Sequence, residues 1–399
     1  MIDRTPLPRT FWFLFAGALI NRIGSFVVPL FAIYLTTERG LTPTVTGWVI
    51  ASYGLGSLLS GPLGGMLADA IGRRPTMLFG FCWGAGAMLV VPLVDGTLPL
   101  AAATFHLGLA TDLYRPAIQA AVADVCDPQQ RTRAYGLLYW AVNLGFAVAA
   151  AIGGTLAHAG FSRLFIADAA TTLCFAVLIA LFVPETRPKV TADAAAKADD
   201  GGFREVARDH VLVAFLLVQC LVGVLFLQSH GALPVALAAR GIGPGTYGFL
   251  VGSNGLIIVL VQPIALPFVA RMRRTHALAL GALLVGIGFG LNAPALGVAG
   301  AAASVAVWTL GEIVISPVVP ALLSDLAPAR LRARYQGMGQ VSFGLCALVG
   351  PPAGMWVLEH GSAGWLWGGC FGFGALAAVL HLASARRLQA RLGGRGQPA

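Results

Sequence analysis

The sequence predicts an all-α membrane protein of twelve spanning helices, arranged as two pseudo-symmetric six-helix bundles with both termini in the cytoplasm. Three observations predict this fold: high hydrophobicity, twelve long apolar runs and an internal repeat. Of the 399 residues, 57% are hydrophobic and 11% are charged, and the mean hydropathy is +0.79. Soluble proteins carry about 25% charged residues, so the composition excludes a soluble domain.

Twelve apolar runs are long enough to cross a bilayer as helices, which takes about 20 residues. They are predicted to be helical because an open sheet edge has no hydrogen-bond partners in lipid. The first run is longer than the core of a signal peptide, so it is predicted to remain as a spanning helix. The predicted spans are 10–36, 42–69, 75–94, 97–123, 132–158, 162–183, 209–239, 243–270, 275–293, 296–324, 333–358 and 362–385.

The distribution of basic residues predicts the orientation of the spans. Of the 26 lysines and arginines, twenty-one fall on the side that holds both termini, and Arg39, Arg163 and Arg240 fall on the other side. The remaining two, Arg22 and Arg115, lie within spans. Because cytoplasmic loops carry the excess of basic residues, we expect cytoplasmic termini and a location in the cell membrane. The same rule accounts for the net charge of +9 without a nucleic-acid partner.

One polar stretch divides the chain into two parts. Residues 184–208 carry few bulky apolar side chains, and they are too few to build a core of their own. We therefore expect a cytoplasmic connector at 184–208, which joins a six-helix bundle at 1–183 to a second bundle at 209–399.

The two parts of the sequence repeat at an offset of 201 residues. The stretch RPAIQAAVADVCDPQQRTRAYG at 115–136 corresponds to SPVVPALLSDLAPARLRARYQG at 316–337. The offset relates span 4 to span 10 and span 5 to span 11, and both copies run in the same direction, as two parallel bundles require. The matched residues include Pro116 with Pro317, Asp124 with Asp325, Arg131 with Arg332, Arg133 with Arg334 and Gly136 with Gly337.

The turn between spans 2 and 3 carries the motif GGMLADAIGRRPTM at 64–77. It resembles the loop signature of the major facilitator superfamily, although Ala70 stands where that family usually has a basic residue. The matching residues are Gly65, Asp69, Gly72, Arg73 and Arg74. The resemblance covers nearly the whole chain, and spans 1, 4 and 10 resemble those of twelve-span drug:proton antiporters.

The resemblance implies a transporter of small molecules that is not an enzyme and that works as a monomer in membrane lipid. It also implies a charge network that closes the cytoplasmic side when the cavity opens outward. We expect this network to contain Asp69, Arg73, Asp124 and Arg133. The alternative is that these charges only anchor the helix ends on the basic side of the membrane.

Four charges fall near the midpoints of spans 1, 4 and 10, which line the central cavity in this superfamily. They are Arg22, Asp112, Arg115 and Glu312. A charge at the centre of a span costs about 2.5–3.5 kcal/mol, so we expect these four to face a cavity or one another. Asp112 and Glu312 are predicted to bind the coupling proton, because burial favours a neutral carboxyl group. The alternative is that Asp112 and Arg115 form a pair within one helix that only supports packing.

Several other polar and aromatic residues are weaker candidates for the substrate cavity. Ordinary packing or hydrogen bonding between helices explains each of them at least as well. They are Asn21, Tyr34, Tyr114, Gln119, Gln228, His230 and Trp308.

The sequence lacks the motifs of several other functional classes. It contains no Walker-type phosphate loop and no zinc-ligand spacing, and its six cysteines are scattered without a CxxC pair. We therefore expect no cofactor and no metal. The leading hypothesis is proton-coupled efflux of small amphipathic or cationic compounds by alternating access.

Two other functions remain open. The first is proton-coupled transport of a specific metabolite, such as a sugar, an amino acid, a peptide or an organic anion. Arg22 and Arg115 favour this function because arginine binds carboxylate and phosphate groups well. The second is a membrane sensor or scaffold without transport, which the charges retained in the spans disfavour.

Overall fold

The computed structural model describes residues 6–25, 27, 31, 34–41, 43–158, 160–188, 202–229, 231–242, 244–294 and 297–393. These residues form helices joined by short turns, and no strand occurs among them. The α-helices are α1 (Arg9–Ile23), α2 (Pro43–Ala70), α3 (Arg73–Val90), α4 (Thr97–Leu113), α5 (Arg115–Val125), α6 (Pro128–His158), α7 (Phe161–Phe182), α8 (Gly202–Ala207), α9 (His210–Leu227), α10 (Ala232–Ala238), α11 (Pro244–Val269), α12 (Arg274–Gly290), α13 (Gly297–Ile315), α14 (Val318–Leu326), α15 (Arg332–His360), α16 (Ala363–Ala383) and α17 (Ala385–Gly393). We call the part up to residue 188 the first half and the part from residue 202 the second half.

The apolar runs do form long helices. Among the described residues, seven helical stretches are long and apolar enough to cross a membrane. The count of twelve spans and the orientation of the termini stay predictions.

Two predicted spans are each broken into two helices at equivalent positions. Span 4 consists of α4 and α5, which meet at Tyr114, and span 10 consists of α13 and α14, which meet just before Val318. Pro116 and Pro317 lie at these breaks and correspond to each other in the repeat. Proline has no backbone N–H and disfavours helical conformation in the preceding residue, so the same residue type interrupts both spans.

Glycines bring the backbones of α2 and α4 into contact. A Cβ added to Gly56 would lie 2.2 Å from the carbonyl oxygen of Phe105, and one added to Gly108 would lie 2.1 Å from that of Tyr53. Small residues allow membrane helices to approach this closely. The contact places Ser57 of α2 against the end of α4, where Asp112 lies.

The two halves also meet through glycines, where α2 packs against α15. A Cβ added to Gly65 would lie 2.8 Å from the carbonyl oxygen of Ala333, and one added to Gly337 would lie 2.5 Å from that of Gly61. On the other side of the molecule α6 packs against α11, and there Gln262 donates a hydrogen bond of 2.8 Å to the carbonyl of Gly136.

Two arginines on the sparsely charged side bind helix ends. Arg39 donates to the carbonyls of Pro92 and Val94 at 2.8 and 2.9 Å, just beyond α3. Arg240, its counterpart in the repeat, donates to the carbonyl of Asn292 at 2.7 Å, just beyond α12. Carbonyls at a helix C-terminus lack helical partners and attract cations, which explains basic residues on this side.

Candidate functional site

Asp112 and Arg115 form an ion pair across the break between α4 and α5. The Nε atom of Arg115 lies 2.6 Å from Oδ1 of Asp112, and the side chains are 44% and 13% exposed, respectively. The hydroxyl of Ser57 donates a hydrogen bond to Oδ2 of Asp112. Asp112 therefore has a counterion from its own span and a hydrogen-bond donor from α2.

Arg22 lies half-buried near the end of α1 and packs on α6. A Cβ added to Gly145 would lie 2.8 Å from Cβ of Arg22, so the two helices are in close contact there. Tyr53 of α2 lies within electrostatic range of Arg22, Asp112 and Arg115. The ion pairs within the described ranges do not include Arg22.

Glu312 lies on α13 and bridges the two halves. Its Oε2 atom accepts a hydrogen bond of 2.8 Å from Nδ2 of Asn254 on α11. Its Oε1 atom accepts a hydrogen bond from the hydroxyl of Tyr139 on α6, in the first half. Nδ2 of Asn254 also lies 3.0 Å from the hydroxyl of Thr309. In the part of the chain that the structure describes, Glu312 has hydrogen-bond donors but no ion pair.

The repeat explains why the two acids have different partners. Asp112 corresponds to Ile313, so Glu312 is displaced by one residue, which is about 100° around the helix. Arg115 corresponds to Ser316, so the second half has no arginine at that position. Glu312 therefore lacks the counterion that Asp112 has.

The structure distributes the weaker candidates among several contacts. Asn21 is buried, donates to the hydroxyl of Thr172 at 2.8 Å and accepts from Tyr114 at 3.3 Å. Tyr34 is buried and accepts a hydrogen bond of 2.6 Å from Nε of Arg39. These three candidates thus lie in contacts inside the first half.

The remaining candidates also make helix-to-helix contacts. The carbonyl of Gln119 accepts a hydrogen bond of 2.6 Å from Tyr135. Gln228 is buried and donates to the carbonyl of Gly350 at 2.8 Å. Trp308 is buried beside Phe289, with ring centroids 5.6 Å apart. His230 lies outside the described residues.

The loop motif forms a charge network with the start of α15. Nη1 of Arg73 lies 2.8 Å from Oδ1 of Asp69. Oδ2 of Asp69 accepts a hydrogen bond of 3.0 Å from the backbone N–H of Arg334. The N–H of Ala333 donates to Oδ1 at 3.3 Å. The carboxylate of Asp69, in the first half, therefore caps the N-terminus of α15, in the second half, because free N–H groups at a helix N-terminus favour an anion.

The neighbouring ion pairs follow the repeat and cross between the halves. Nε of Arg73 lies 3.0 Å from Oδ2 of Asp124, and Nη1 of Arg332 lies 2.5 Å from Oδ1. The equivalent carboxylate, Asp325, pairs with Arg274 and with Arg131 of the first half. Each half thus supplies one aspartate that binds an arginine of its own and an arginine of the other half. We call the end of the molecule that holds these residues the motif end.

The other motif residues shape the turn between α2 and α3. Gly72 has a φ of +113°, a conformation that favours glycine. The carboxylate of Glu185 accepts hydrogen bonds from the backbone N–H groups of Arg73 and Arg74 at 2.9 and 3.1 Å. Arg133 lies half-buried near the start of α6.

The structure brings together Asp69, Arg73 and Asp124, and it adds Arg332 and Arg334 of the second half. In the repeat Arg133 corresponds to Arg334, and Asp69 corresponds to Ala270.

Ser57, Tyr139 and Asn254 are partners of the central acids that the sequence patterns do not identify. The repeat could have indicated Asn254 as a neighbour of Glu312, because Asn254 corresponds to Tyr53, which lies near Asp112. No sequence signal relates Tyr139 to Glu312, since their contact depends on how the halves dock.

The chemistry available at this site is proton binding and charge recognition. Glu312 sits between helices of both halves with neutral donors, so it is suited to exchange a proton. Among the described residues, no group of three or more histidines, cysteines, aspartates or glutamates is placed to hold a metal ion.

Known proteins resemble this chain over nearly its full length. The model of the Major Facilitator Superfamily matches residues 14–230 and 229–396. The MFS-type transporter YttB of Bacillus subtilis is 26% identical over 359 residues, which cover 89% of each chain. The multidrug resistance protein MdtH of Edwardsiella ictaluri is 26% identical over 355 residues, covering 88% of this chain and 87% of MdtH.

Solved structures show the same fold. A bacterial homologue of the iron transporter ferroportin, in an outward-facing state, superimposes with a TM-score of 0.79 at 18% identity, covering 95% of this chain and 100% of the homologue. The relatives and neighbours are membrane transporters rather than enzymes. The chain therefore belongs to the major facilitator superfamily of membrane transporters, as its loop motif predicts.

Proposed function

We propose that this transporter exports small amphipathic or cationic compounds across the cell membrane in exchange for protons. The observation that carries the proposal is Glu312, a carboxylate between the two halves that is held by Tyr139 and Asn254. A carboxylate with neutral donors and no counterion binds a proton more readily than one with an arginine beside it. Glu312 is therefore the main proton carrier, and Asp112, paired with Arg115, is secondary.

The transport cycle follows from closing and opening the motif end. Two six-helix bundles, 1–183 and 209–399, rock about the central charges while the connector 184–208 joins them at the cytoplasmic side. The closed motif end corresponds to a transporter that is shut toward the cytoplasm. A cationic substrate and a proton compete for the same carboxylate, which couples export of one to entry of the other.

The names of relatives support an export function. MdtH proteins are multidrug resistance proteins, and the MdtH of Salmonella typhimurium is 25% identical over 396 residues, 96% of each chain. A small set of acids in apolar helices suits lipophilic cations of varied shape, because charge attraction in a membrane interior does not demand one geometry.

Transport in proteoliposomes tests the proposal. With tetraphenylphosphonium as a lipophilic cation, the wild-type protein is expected to accumulate the probe only under a pH gradient. Glu312→Gln is expected to abolish this accumulation, and Asp112→Asn to reduce it. Asp95→Asn is a matched control, because the side chain of Asp95 is exposed and pairs only at the molecular surface with Arg39. Wild-type accumulation by the Glu312→Gln variant would contradict the proposal.

A second candidate function is transport of a metabolite that carries a carboxylate or phosphate group. Arg22 favours it, because this arginine lies inside a span and forms no ion pair among the described residues. A panel of organic cations, anions and zwitterions decides between the two functions. If anions alone are transported and Arg22→Gln abolishes their transport, the second function is correct.

A further inference from the structure

We propose that Tyr139 is a positioning residue that makes closure of the motif end depend on the proton of Glu312. The inference rests on the proposed function, since it takes Glu312 as the proton carrier. It goes beyond that function by identifying the contact through which protonation changes the packing of one half on the other.

The two oxygens of Glu312 are bound from different halves. Asn254 belongs to the same half as Glu312 and donates to Oε2 at 2.8 Å. Tyr139 belongs to α6 of the first half and donates to Oε1. The α6 helix packs against α11, which carries Asn254. Breaking the Tyr139 contact is therefore necessary for the halves to separate here, whereas the Asn254 contact can persist.

Protonation weakens the contact between the halves. A hydrogen bond to an ionised carboxylate is roughly twice as strong as one between neutral groups. A protonated Glu312 also keeps one oxygen as a hydroxyl, which accepts poorly from the phenol of Tyr139. The ionised form therefore holds α6 against α13, and the neutral form releases it.

Among the described residues, the surrounding helices bring no ion pair to Glu312. The titratable group of α11, which packs against α13, is Tyr247, and it donates a hydrogen bond to the carbonyl of Ser229. The helices α12 and α14 pack against α13, and their charged residues Arg274 and Asp325 pair with each other at the motif end. His276 is exposed near the start of α12. Tyr139 is thus the titratable group in contact with Glu312, and the contact between the halves responds to the charge of one carboxylate.

Trp140, the residue after Tyr139, makes another hydrogen bond between the halves that can be compared with the bond from Tyr139 to Glu312. Nε1 of Trp140 donates a hydrogen bond of 2.8 Å to the carbonyl of Val259 on α11. This bond also crosses between the halves, and it starts one residue along the same helix. Its acceptor is a peptide carbonyl, which does not titrate, so this bond stays the same at every pH.

The Tyr139 contact belongs to the closed motif end. Tyr139 lies about three turns into α6, which begins at Pro128 beside the ion pairs of the motif end. Protonation of Glu312 is therefore expected to favour opening at the motif end. In an exchange cycle this direction is the required one, because a proton taken up from outside must be carried to a cytoplasm-open state.

The experiment measures the separation of the halves as a function of pH, without any substrate. Spin labels on Ile71→Cys and Arg273→Cys, two exposed positions in turns at the motif end, report the distance in lipid nanodiscs. The native cysteines are replaced in a background that retains transport. The four variants are Tyr139→Phe, Asn254→Ala, Trp140→Phe and Glu312→Gln.

In the parent protein the population of the long distance is expected to rise as pH falls. The midpoint of this transition is the pH at which half of the change in the long-distance population has occurred. Tyr139→Phe and Asn254→Ala are each expected to raise this midpoint by about one pH unit, because each removes a donor to the ionised carboxylate of Glu312. Only Tyr139→Phe is expected also to reduce the difference between the short-distance populations at high and low pH. Trp140→Phe is expected to lower the short-distance population equally at all pH values.

Two outcomes overturn the inference: a Tyr139→Phe midpoint equal to the parent's, or an equal loss of pH response in Asn254→Ala. The proposed function fails separately, through Glu312→Gln. If Glu312→Gln keeps the full pH response, then Glu312 is not the proton carrier, whatever Tyr139→Phe shows. If Glu312→Gln removes the response and Tyr139→Phe does not alter it, only the role of Tyr139 is wrong.

Discussion

At the scale of single residues, the partners of each charge distinguish its role. Asp112 has Arg115 at 2.6 Å, so its charge is balanced within its own span. Glu312 has only neutral donors among the described residues and contacts both halves. The acids of the motif end are paired with arginines of both halves. We therefore propose that Glu312, which has no counterion among the described residues, exchanges the proton, and that the paired acids hold the motif end closed.

The ion pair between Asp124 and Arg332 is expected to stabilise the closed motif end. Removing one partner of a buried pair costs about 3–5 kcal/mol, because the other charge is left uncompensated. Asp124→Arg and Arg332→Asp are each expected to favour the open form. Their combination is expected to recover part of the loss, with a coupling of about 0.5–3 kcal/mol. Label distances at the motif end measure this, and a double variant no better than the worse single variant would refute the pairing.

Asp209 predicts a pH effect at the position just before α9, where the apolar helical stretch begins at His210. It caps α9 by accepting hydrogen bonds from the N–H groups of Val211 and Leu212, and it also binds Tyr335 and Arg391. Burial alone would raise the pKa of Asp209, but these hydrogen bonds and the Arg391 charge lower it overall from its ordinary value of 3.8. The stabilisation is therefore complete above about pH 3.8 and is lost as the pH falls through the lowered value.

Hydrogen exchange at the first turn of α9 checks this effect. In the wild-type protein, protection of the Val211 and Leu212 amides is expected to fall in acid, relative to the Asp209→Asn variant at the same pH. Asparagine keeps a side-chain cap but does not titrate, whereas Asp209→Ala is expected to lose about 1 kcal/mol at every pH. Equal acid sensitivity of the wild-type and Asp209→Asn proteins would show that another group is responsible.

At the scale of helices, glycine spacing fixes how closely the halves approach. On α2, a Cβ at Gly65 would lie 2.8 Å from the carbonyl oxygen of Ala333 and 3.0 Å from Cα of Arg334. Both atoms belong to the backbone, so only movement of a whole helix relieves the overlap. On the same helix, a Cβ at Gly54 would have no atom within 4 Å.

Gly65→Ala is therefore expected to push α15 away from α2 and to favour an open motif end. Gly54→Ala serves as the matched control, since it adds the same methyl group to the same helix without a clash. The distance between spin labels on Ile71→Cys and Arg273→Cys measures the opening. Gly65→Ala is expected to raise the population of the long distance several-fold, and an effect equal to that of Gly54→Ala would argue against close helix packing as the cause.

At the scale of the whole molecule, the repeat relates the ion pairs at the motif end but not the acids in the middle of the spans. The pairs Arg73–Asp124 and Arg274–Asp325 are related by the repeat, and each aspartate also binds an arginine of the opposite half. We propose that these related pairs close the motif end, with an equal contribution from each half. The central acids break the symmetry, because the position of Asp112 is occupied by Ile313. A site with different chemistry in each half allows one carboxylate to exchange a proton while the other stays paired.

Local patterns in the sequence predicted much of this arrangement. The apolar runs and the loop motif predicted a helical transporter of this superfamily, which the family match confirms. The spacing of Asp112 and Arg115 predicted their pairing within one span, because residues three apart share a helix face. Contacts between the halves were not predictable in the same way. Arg332 and Arg334 lie more than 200 residues from their carboxylates, so only docking of the halves brings them together.

The most direct test of the central claim is proton release on binding of a substrate cation. Purified protein in weakly buffered detergent solution is mixed with tetraphenylphosphonium, and a pH indicator records the protons released. If Glu312 exchanges a proton for substrate, the wild-type protein releases protons, Glu312→Gln releases almost none, and Asp95→Asn releases as many as the wild type. Equal release from the wild-type and Glu312→Gln proteins, or no release from the wild type, would contradict the account.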